Sequence, residues 1–298
     1  MSSLEELHDE ARLLSLEYDS DVAVQKGSLE SSLSQSKEFA DATKDLNPIH
    51  RKIEGFDEVI SPGFLQNCIA IVASRKAMNA TDVNPLDFPY SLNESEMPAA
   101  VATGLNYFIS AMFNAQTREA DIEIRNSQGR LLHRLHRKVY AEKPFSGMPE
   151  TNGELIYEGR FAISGEDSVS AFGRLISSDS SESNLRALAG SSSAVCDAIS
   201  SGKLNPLEQG VVVMYTGSQN FYLDLSRSLD LRKGINMRLY ASEKDKFGRL
   251  SAKGDYVKMS VVGEDDSGRM LYHFNAGLSF QDERLVNLIM RRALKSRV

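Results

Sequence analysis

The residues best suited to chemistry lie within residues 39–70, where a carboxylate and an imidazole stand five positions apart, Asp45 and His50. The turn Asn47-Pro48 separates them, and its proline fixes the backbone. An acid and a base held this close can grip one water molecule, because one group accepts a proton while the other donates one. Such a pair can add water across a double bond or remove it.

A third feature lies beyond the pair, where Ser61-Pro62-Gly63 opens an apolar stretch of helical period. The first N–H groups of a helix have no partner within the helix, so they can receive developing negative charge. Gly63 has no side chain to hold a substrate carbonyl away from its N–H. The sequence therefore predicts an oxyanion contact at Gly63, close to Asp45 and His50.

Several predicted elements must position these residues. A helical turn over residues 39–44 is expected to deliver Asp45 at its carboxyl end, and residues 63–78 are predicted to form a central helix wrapped by a sheet. A short leading helix is predicted over residues 3–18, and residues 85–98 are expected to be an irregular loop. Patterns typical of strands occupy residues 104–114, 118–125, 131–141, 157–163, 211–215, 235–242, 255–262 and 269–280.

The chain is predicted to contain two related units. Proline, glycine and polar residues concentrate in residues 143–153, which places a boundary between residues 1–146 and residues 147–298. The pattern then begins again, with a small-residue helix over residues 185–199. Part of the text repeats as well, Gly129-Arg130-Leu131-Leu132-His133 against Gly268-Arg269-Met270-Leu271-Tyr272-His273. We interpret this repeat as an internal duplication.

Composition and charge argue against several classes of function. A net charge of −7 argues against nucleic acid as the main partner. The basic runs at residues 130–138 and 291–297 are interpreted as solvated faces, with contact to the phosphates of a thioester carrier as the alternative. No run of about eighteen apolar residues is present, so no membrane partner is expected. The acidic N-terminus does not read as a targeting signal, and we expect a cytoplasmic protein.

Metal and cofactor chemistry is not expected. Cys68 and Cys196 lie in apolar segments without metal-binding spacing, and we interpret them as free buried thiols in a reducing compartment. His133 and His136 stand three apart in a predicted strand, where they would point to opposite faces. No glycine-rich phosphate loop is present, so no nucleotide is expected.

The segment of residues 39–70 resembles the MaoC-like (R)-specific enoyl thioester hydratases and dehydratases, also called hydratase 2. The family motif has an aromatic residue, a short spacer, Gly-Asp, one residue, Asn-Pro, an aliphatic residue and His. The matching positions are Phe39, Thr43, Asp45, Asn47, Pro48, Ile49 and His50, followed by Pro62-Gly63. Lys44 stands where the family has glycine. The resemblance is specific in this segment and poor elsewhere in the chain.

The resemblance implies an α+β fold, a tandem or double hot-dog in which each unit is a long central helix wrapped by a curved antiparallel sheet. It also implies roles for individual residues: Asp45 and His50 as catalysts, Gly63 as the oxyanion contact, Asn47 and Pro48 as supporting residues. In the second unit Asp179 is present, but Asn184 stands five residues further on in place of a histidine. We therefore predict one active site, with the second unit completing the sheet and an acyl tunnel.

The resemblance further implies a hydro-lyase that reversibly dehydrates 3-hydroxyacyl thioesters to trans-2-enoyl thioesters in fatty acid or polyketide metabolism. The expected partner is an acyl thioester of coenzyme A or of an acyl carrier protein, and no cofactor is needed. Two alternatives stay open, a hot-dog acyl thioesterase and a non-catalytic acyl-thioester-binding protein. A homodimer is also left open. It is not required, since a fused second unit already supplies the partner that one hot-dog unit needs.

Overall fold

The computed structural model describes residues 12–19, 22–30, 33–45, 47–51, 58–161, 182–204, 211–224, 226, 234–242 and 256–295. The described strands are β1 (Arg12–Asp19), β2 (Val22–Glu30), β3 (Tyr90–Glu96), β4 (Asn106–Asn114), β5 (Glu119–Asn126), β6 (Leu131–Tyr140), β7 (Glu154–Phe161), β8 (Val211–Asp224), β9 (Ile235–Ala241), β10 (Tyr256–Glu264) and β11 (Met270–Asp282). The described α-helices are α1 (Leu33–Ala42), α2 (Gly63–Asn79), α3 (Glu182–Ser200) and α4 (Glu283–Lys295). Short 3₁₀ turns occupy Pro48–His50 and Pro85–Asp87.

The eleven described strands share one sheet in the order β1-β2-β4-β5-β6-β3-β8-β11-β10-β9-β7, and every neighbouring pair is antiparallel. Beyond β1, this order divides into two sets of five that meet where β3 pairs with β8. The strands of each set can be numbered one to five along the chain. From the outermost strand of the set to the β3–β8 pair, each set then reads first, third, fourth, fifth, second. The same arrangement therefore occurs on both sides of the β3–β8 pair, with opposite direction across the sheet.

Each set of strands packs against its own long helix. Helix α2 follows the first strand of its set in the chain and contacts β2, β4, β5 and β6, whereas α3 holds the same place in the second set and contacts β7, β9, β10 and β11. Eleven of the 17 residues of α2 are buried, which explains why apolar residues cover most of its surface. The fold is α+β, a tandem pair of hot-dog units, as the sequence predicts.

The two hairpins that carry the repeated text have the same turn. Each turn begins with a residue whose side-chain oxygen accepts the N–H groups two and four positions further on, Asn126 and Asp265. Each ends at a glycine with positive φ, +78° at Gly129 and +76° at Gly268, and both glycines donate an N–H to the first residue at 2.9 Å. Because a left-handed backbone favours glycine, the repeated glycines have a geometric reason.

The expectation of an irregular loop over residues 85–98 is wrong, because residues 90–96 of that segment form β3, the strand at the centre of the sheet. The buried positions of β3 are Ser91, Asn93 and Ser95. Ser95 Oγ donates to Asn67 Oδ1 in α2 at 2.7 Å. A strand that buries polar residues reverses the usual alternation, so its pattern gave no strand signal.

The leading helix predicted over residues 3–18 is wrong for the described part, since residues 12–19 form β1. Strand β1 pairs with β2, from Arg12 opposite Ser28 to Asp19 opposite Val22. Leu14, Leu16 and Tyr18 also alternate with polar residues at the period of a strand. Two periods fit this stretch, and pairing with a neighbouring strand selects one of them.

Other expectations have simpler outcomes. Cys68 and Cys196 are both free and buried, which confirms the prediction for the thiols. Residues 141–153 connect β6 to β7, and the boundary after residue 146 stays a prediction. Within the described part of the chain, no helix has both the length and the apolar character needed to cross a membrane.

Candidate active site

The position of Asp45 follows from the way α1 ends. The N–H of Asp45 donates to the carbonyl of Ala40 at 2.7 Å, and that of Lys44 donates to Asp41 at 3.2 Å. These two bonds form a Schellman cap, in which the residue after the helix takes a left-handed backbone. Lys44 is that residue, with a φ of +55°. A glycine at this position of the family motif would have a geometric reason, and lysine adopts the same conformation with a steric cost.

The carboxylate of Asp45 faces the imidazole of His50 in a buried place. Oδ1 of Asp45 accepts the N–H of Asn47 at 2.9 Å, and Oδ2 lies 3.8 Å from Nε2 of His50. Asp45 is 7% exposed and His50 is 8% exposed. A separation of 3.8 Å is longer than a hydrogen bond, so both groups remain available to a bound molecule that contacts the two side by side. The structure thus brings the two predicted residues together.

The orientation of His50 follows from one hydrogen bond. His50 ends the 3₁₀ turn Pro48–His50, and its Nδ1 lies 2.6 Å from the carbonyl oxygen of Ile60. A carbonyl oxygen only accepts, so Nδ1 carries the proton of the neutral ring. Nε2 keeps its lone pair and has Asn47 Nδ2 3.5 Å away. Nε2 is therefore the nitrogen that can accept a proton from a bound molecule.

The segment that orients His50 also leads into α2. The N–H of Ile60 donates to the carbonyl of Ile49 at 2.9 Å, and α2 begins three residues later at Gly63. Pro62, the cap residue, makes no side-chain hydrogen bond to the helix. The N–H groups of the first turn are thus left without a capping side chain. A Cβ added at Gly63 would lie 2.9 Å from Sδ of Met97, which places this methionine directly over the glycine.

A cavity of about 360 Å³ contains all of these groups. Asp45, Asn47, His50 and Gly63 line it. Helix α3 and strand β8, both from the second unit, supply further lining residues, among them Ser192, Val195, Cys196, Ile199, Val213 and Tyr215. The site predicted from one local segment therefore lies where the two units meet, and its largely apolar walls suit a hydrocarbon chain.

Sequence reasoning missed the contribution of β8 to this site. Asn47 Nδ2 donates to the carbonyl oxygen of Val213 at 2.6 Å. Burial raises the pKa of Tyr215 well above its ordinary value, and Cys196 and Asp45 raise it further, so its hydroxyl stays protonated and can donate. In the sequence β8 is recognisable as a strand, yet 166 positions separate Asn47 from Val213. No local pattern carries information about a contact of that range.

Two buried acceptors in the cavity have no hydrogen-bond partner among the described residues, Asn47 Oδ1 and Gln66 Oε1. The other end of the Gln66 amide is fixed, because Nε2 donates to Ser61 Oγ at 2.6 Å. A buried acceptor without a partner is unfavourable by about 1–3 kcal/mol. A hydroxyl group or a water molecule bound in the cavity can donate a hydrogen bond to either oxygen.

The other residues considered from the sequence have separate outcomes. Asp179 is outside the described residues, so its lack of a catalytic role stays a prediction. Asn184 belongs to α3. His133 is buried whereas His136 is exposed beside Asp121, and the two side chains point to opposite faces of β6 as predicted. Among the described residues no three or more His, Cys, Asp or Glu side chains form a group that could hold a metal ion.

Several solved structures resemble nearly the whole chain. A MaoC-like dehydratase matches with a TM-score of 0.54 and 12% identity, over 88% of this chain and 98% of its own. The CurJ dehydratase, solved as an inactive histidine-to-phenylalanine mutant in complex with a compound, matches with a TM-score of 0.53 and 9% identity, over 92% and 98%. A tesB protein of Mycobacterium avium subs paratuberculosis matches with a TM-score of 0.53 and 8% identity, over 93% and 99%.

These likenesses establish the class of fold. No protein-family model matches the chain, and no curated protein matches it. At 8% to 12% identity the solved structures show a shared backbone arrangement, the hot-dog fold, and two of the three carry the name dehydratase. At this level of identity the likenesses show the fold alone.

Proposed function

We propose that the protein is a hydro-lyase that reversibly dehydrates 3-hydroxyacyl thioesters of coenzyme A or of an acyl carrier protein to trans-2-enoyl thioesters. One observation carries the proposal: Nε2 of His50 faces the carboxylate of Asp45 across 3.8 Å, in a cavity that Gly63 also lines. A base, an acid and an oxyanion contact in one enclosed place are the parts that an elimination next to a carbonyl needs. The dehydratases among the solved neighbours support the same class of reaction.

The first step is the removal of the proton on C2 of the substrate. The thioester carbonyl oxygen accepts the N–H of Gly63 and is stabilised there as negative charge develops. Nε2 of His50 accepts the proton, because Nδ1 is already committed to the carbonyl of Ile60. The electron pair of the C2–H bond forms the enolate of the thioester, whose negative charge lies on the carbonyl oxygen. In CurJ, the neighbour named above, the loss of a histidine accompanies inactivity.

The second step is the departure of the hydroxyl group from C3. The enolate returns to a carbonyl and its electron pair forms the C2–C3 double bond, while the C3–O bond breaks with its electron pair on oxygen. Asp45 in its acid form donates a proton to that oxygen, so that the group leaves as water. Asn47 Oδ1, a buried acceptor without a described partner, can receive an O–H of that water. The protonated His50 then returns its proton to the Asp45 carboxylate through a water molecule that hydrogen-bonds to both groups. Hydration is the same sequence in reverse.

A single assay tests the proposal against its alternatives. An enoyl thioester is incubated with the protein, and both the conjugated absorbance and the release of free thiol are followed. Loss of absorbance without free thiol supports hydration. Release of thiol identifies the thioesterase that the sequence left as an alternative. Tight binding without turnover, unchanged in His50→Ala, identifies the non-catalytic binding protein.

A further inference from the structure

Arg130 lies at the tip of the β5–β6 hairpin, at the mouth of the cavity. It lines the cavity and is also exposed to solvent. Its N–H donates to Asn126 Oδ1 at 2.9 Å, and Gly129 completes the turn just before it. The backbone of Arg130 is therefore fixed, and the hairpin holds a cation at the rim of the cavity.

The charge of Arg130 is not neutralised by any residue that the structure describes, in contrast to its neighbours in the hairpin. Arg125 and Arg134 both pair with Glu123, at 2.7 and 2.8 Å. The chain has more carboxylates than cations, with a net charge of −7, so a shortage of acidic residues does not explain the difference. Among the described residues, Arg130 therefore has no acidic partner where the hairpin borders the cavity.

The corresponding arginine of the second unit is neutralised. Arg269 follows the matching turn, and its Nε donates to Asp224 Oδ2 at 2.8 Å. A second hydrogen bond joins Nη2 of Arg269 to Ser226 Oγ at 2.6 Å. Asp224 is only 2% exposed, so its carboxylate is shielded from solvent within the ion pair. Of the described residues, a carboxylate thus pairs with the arginine of one copy of the repeated hairpin and none pairs with that of the other.

The register of the strands shows what the first unit lacks. Equivalent cross-strand pairs define matching positions in the two units, Glu96 with Arg134 and Tyr222 with His273. Arg134 and His273 are the members of these pairs that belong to the two hairpins, and they are 139 positions apart, as Arg130 and Arg269 are. Pro98 follows Glu96 by two positions, and Asp224 follows Tyr222 by two positions. Asp224 of the second unit therefore corresponds to Pro98 of the first. Pro98 lines the same cavity as Arg130 and offers no carboxylate.

We infer that Arg130 binds the phosphate of the 4′-phosphopantetheine arm by which coenzyme A and acyl carrier proteins both present a thioester, an inference that rests on the proposed function. With the thioester carbonyl at Gly63, the arm leads out through the mouth of the cavity. The acyl and pantetheine parts are uncharged, so the phosphate is the first anion outside. A guanidinium matches it with two parallel hydrogen bonds.

The test compares two substrates that differ only in this phosphate, an enoyl-phosphopantetheine and an enoyl-pantetheine. For the phosphorylated substrate, Arg130→Ala is expected to raise KM roughly tenfold, the size of a lost charged hydrogen bond, with little change in kcat. For the substrate without phosphate, KM is expected to stay the same. Arg134→Ala is the matched control, since Arg134 is an exposed arginine of the same hairpin and its KM values should equal those of the wild type.

A second variant tests the comparison of the two units. Pro98→Asp places a carboxylate in the first unit at the position that corresponds to Asp224 of the second. It is expected to neutralise Arg130 and so to raise KM selectively for the phosphorylated substrate. A selective rise with acyl-coenzyme A, with an acyl carrier protein or with both supports the inference and identifies the source of the phosphate. An equal effect on both substrates, or no effect of Arg130→Ala on either, overturns it.

The inference can fail separately from the proposed function. Turnover of enoyl-pantetheine by the wild type tests the reaction without any phosphate. If no thioester is turned over, the reaction is wrong, and calorimetric titration with phosphopantetheine still tests Arg130. Binding that is weakened by Arg130→Ala and unchanged by Arg134→Ala supports the site, and binding equal in all three proteins overturns it.

Discussion

Asn47 in the first unit donates a hydrogen bond of 2.6 Å to the carbonyl oxygen of Val213 in the second. Because Asn47 lies between Asp45 and His50 in the same turn, this bond fixes the acid and the base relative to β8. The second unit also supplies one wall of the cavity that this turn lines. The two units therefore share one site, although the proposed catalysts belong to the first.

Replacement of Asn47 tests this link. Asn47→Ala removes the donor to Val213 and is expected to lower the free energy of unfolding by about 1–3 kcal/mol, the usual effect of leaving a buried acceptor without its partner. Turnover should fall as well, because the turn loses its fixed position. Denaturant unfolding and kcat measure the two effects. An unchanged unfolding free energy would show that the bond contributes nothing.

Loss of either proposed catalyst should abolish most of the activity. His50→Ala and Asp45→Asn are each expected to lower kcat/KM by about a hundredfold or more, with the fold retained by circular dichroism. The matched control is the exposed pair of His136 and Asp121, which lies closer together, at 2.9 Å, but outside the cavity. His136→Ala and Asp121→Asn should leave turnover unchanged, as should Asp179→Asn if the second unit is silent. Full activity in His50→Ala would refute the mechanism.

Access to the first turn of α2 can be tested at Gly63. Gly63→Ala adds a methyl group on the residue whose N–H is proposed to bind the carbonyl oxygen, 2.9 Å from Sδ of Met97, and kcat is expected to fall about tenfold to a hundredfold. The double variant Gly63→Ala with Met97→Ala removes the clash but keeps the methyl group. It should remain slow, because access and not packing is lost. Recovery of the wild-type rate in the double variant would rule out an oxyanion role.

Lys44→Gly should stabilise the protein. A φ of +55° is strained for lysine and free for glycine, so the unfolding free energy is expected to rise by about 0.5–1 kcal/mol after the greater entropy of unfolded glycine is subtracted. The side chain contributes little, since its ion pair with Asp197 is long, at 3.9 Å, and the lysine is 68% exposed. Lys44→Ala, which keeps the Cβ, should therefore give no gain. Thermal and denaturant unfolding of the three proteins decide the point.

Acid should destabilise the fold through buried histidines. Burial lowers the pKa of His133 to about 4, from 6.5 in the unfolded chain. Between these values the unfolded chain binds a proton that the folded chain does not, so the unfolding free energy falls as the pH drops from 6.5 to 4, by on the order of 3 kcal/mol. Above pH 6.5 the residue has no such effect, and below pH 4 the loss is complete.

Variants of the two histidines of β6 test this window. His133→Gln should flatten the fall of the unfolding free energy between pH 6.5 and 4, measured by denaturant titration at a series of pH values. The slope should not vanish, because burial also lowers the pKa of His273 to about 4. His136→Gln is the control, since His136 is exposed, and it should keep the wild-type slope. Equal slopes in all three proteins would contradict the assignment.

The features that the sequence predicts correctly are local ones. Asp45, His50 and Gly63 stand within one short segment and line one cavity. In the described part of that segment, the cap of α1, the 3₁₀ turn at Pro48–His50 and the start of α2 hold these residues. Helix α2 was predicted within one residue of its observed end, since its apolar surface is nearly continuous. Strands β4, β5 and β6 follow in the same way from alternation and a clear turn.

The features that the sequence does not predict depend on distant contacts. Strand β3 buries Ser91, Asn93 and Ser95, and only the partners of these side chains in the fold make polar burial favourable. The approach of Tyr215 to Asp45 depends on how the second unit docks against the first. Neither fact is written in the spacing of neighbouring residues.

One consequence concerns how such a protein changes during evolution. Val195 and Ile199 of α3 line the same cavity as His50, yet they belong to the unit that is predicted to lack a catalytic histidine. Under the proposed reaction, substitutions in α3 can alter the length of tail that is accepted without touching the residues that move protons. A duplicated unit released from catalysis is thereby free to adapt to new substrates.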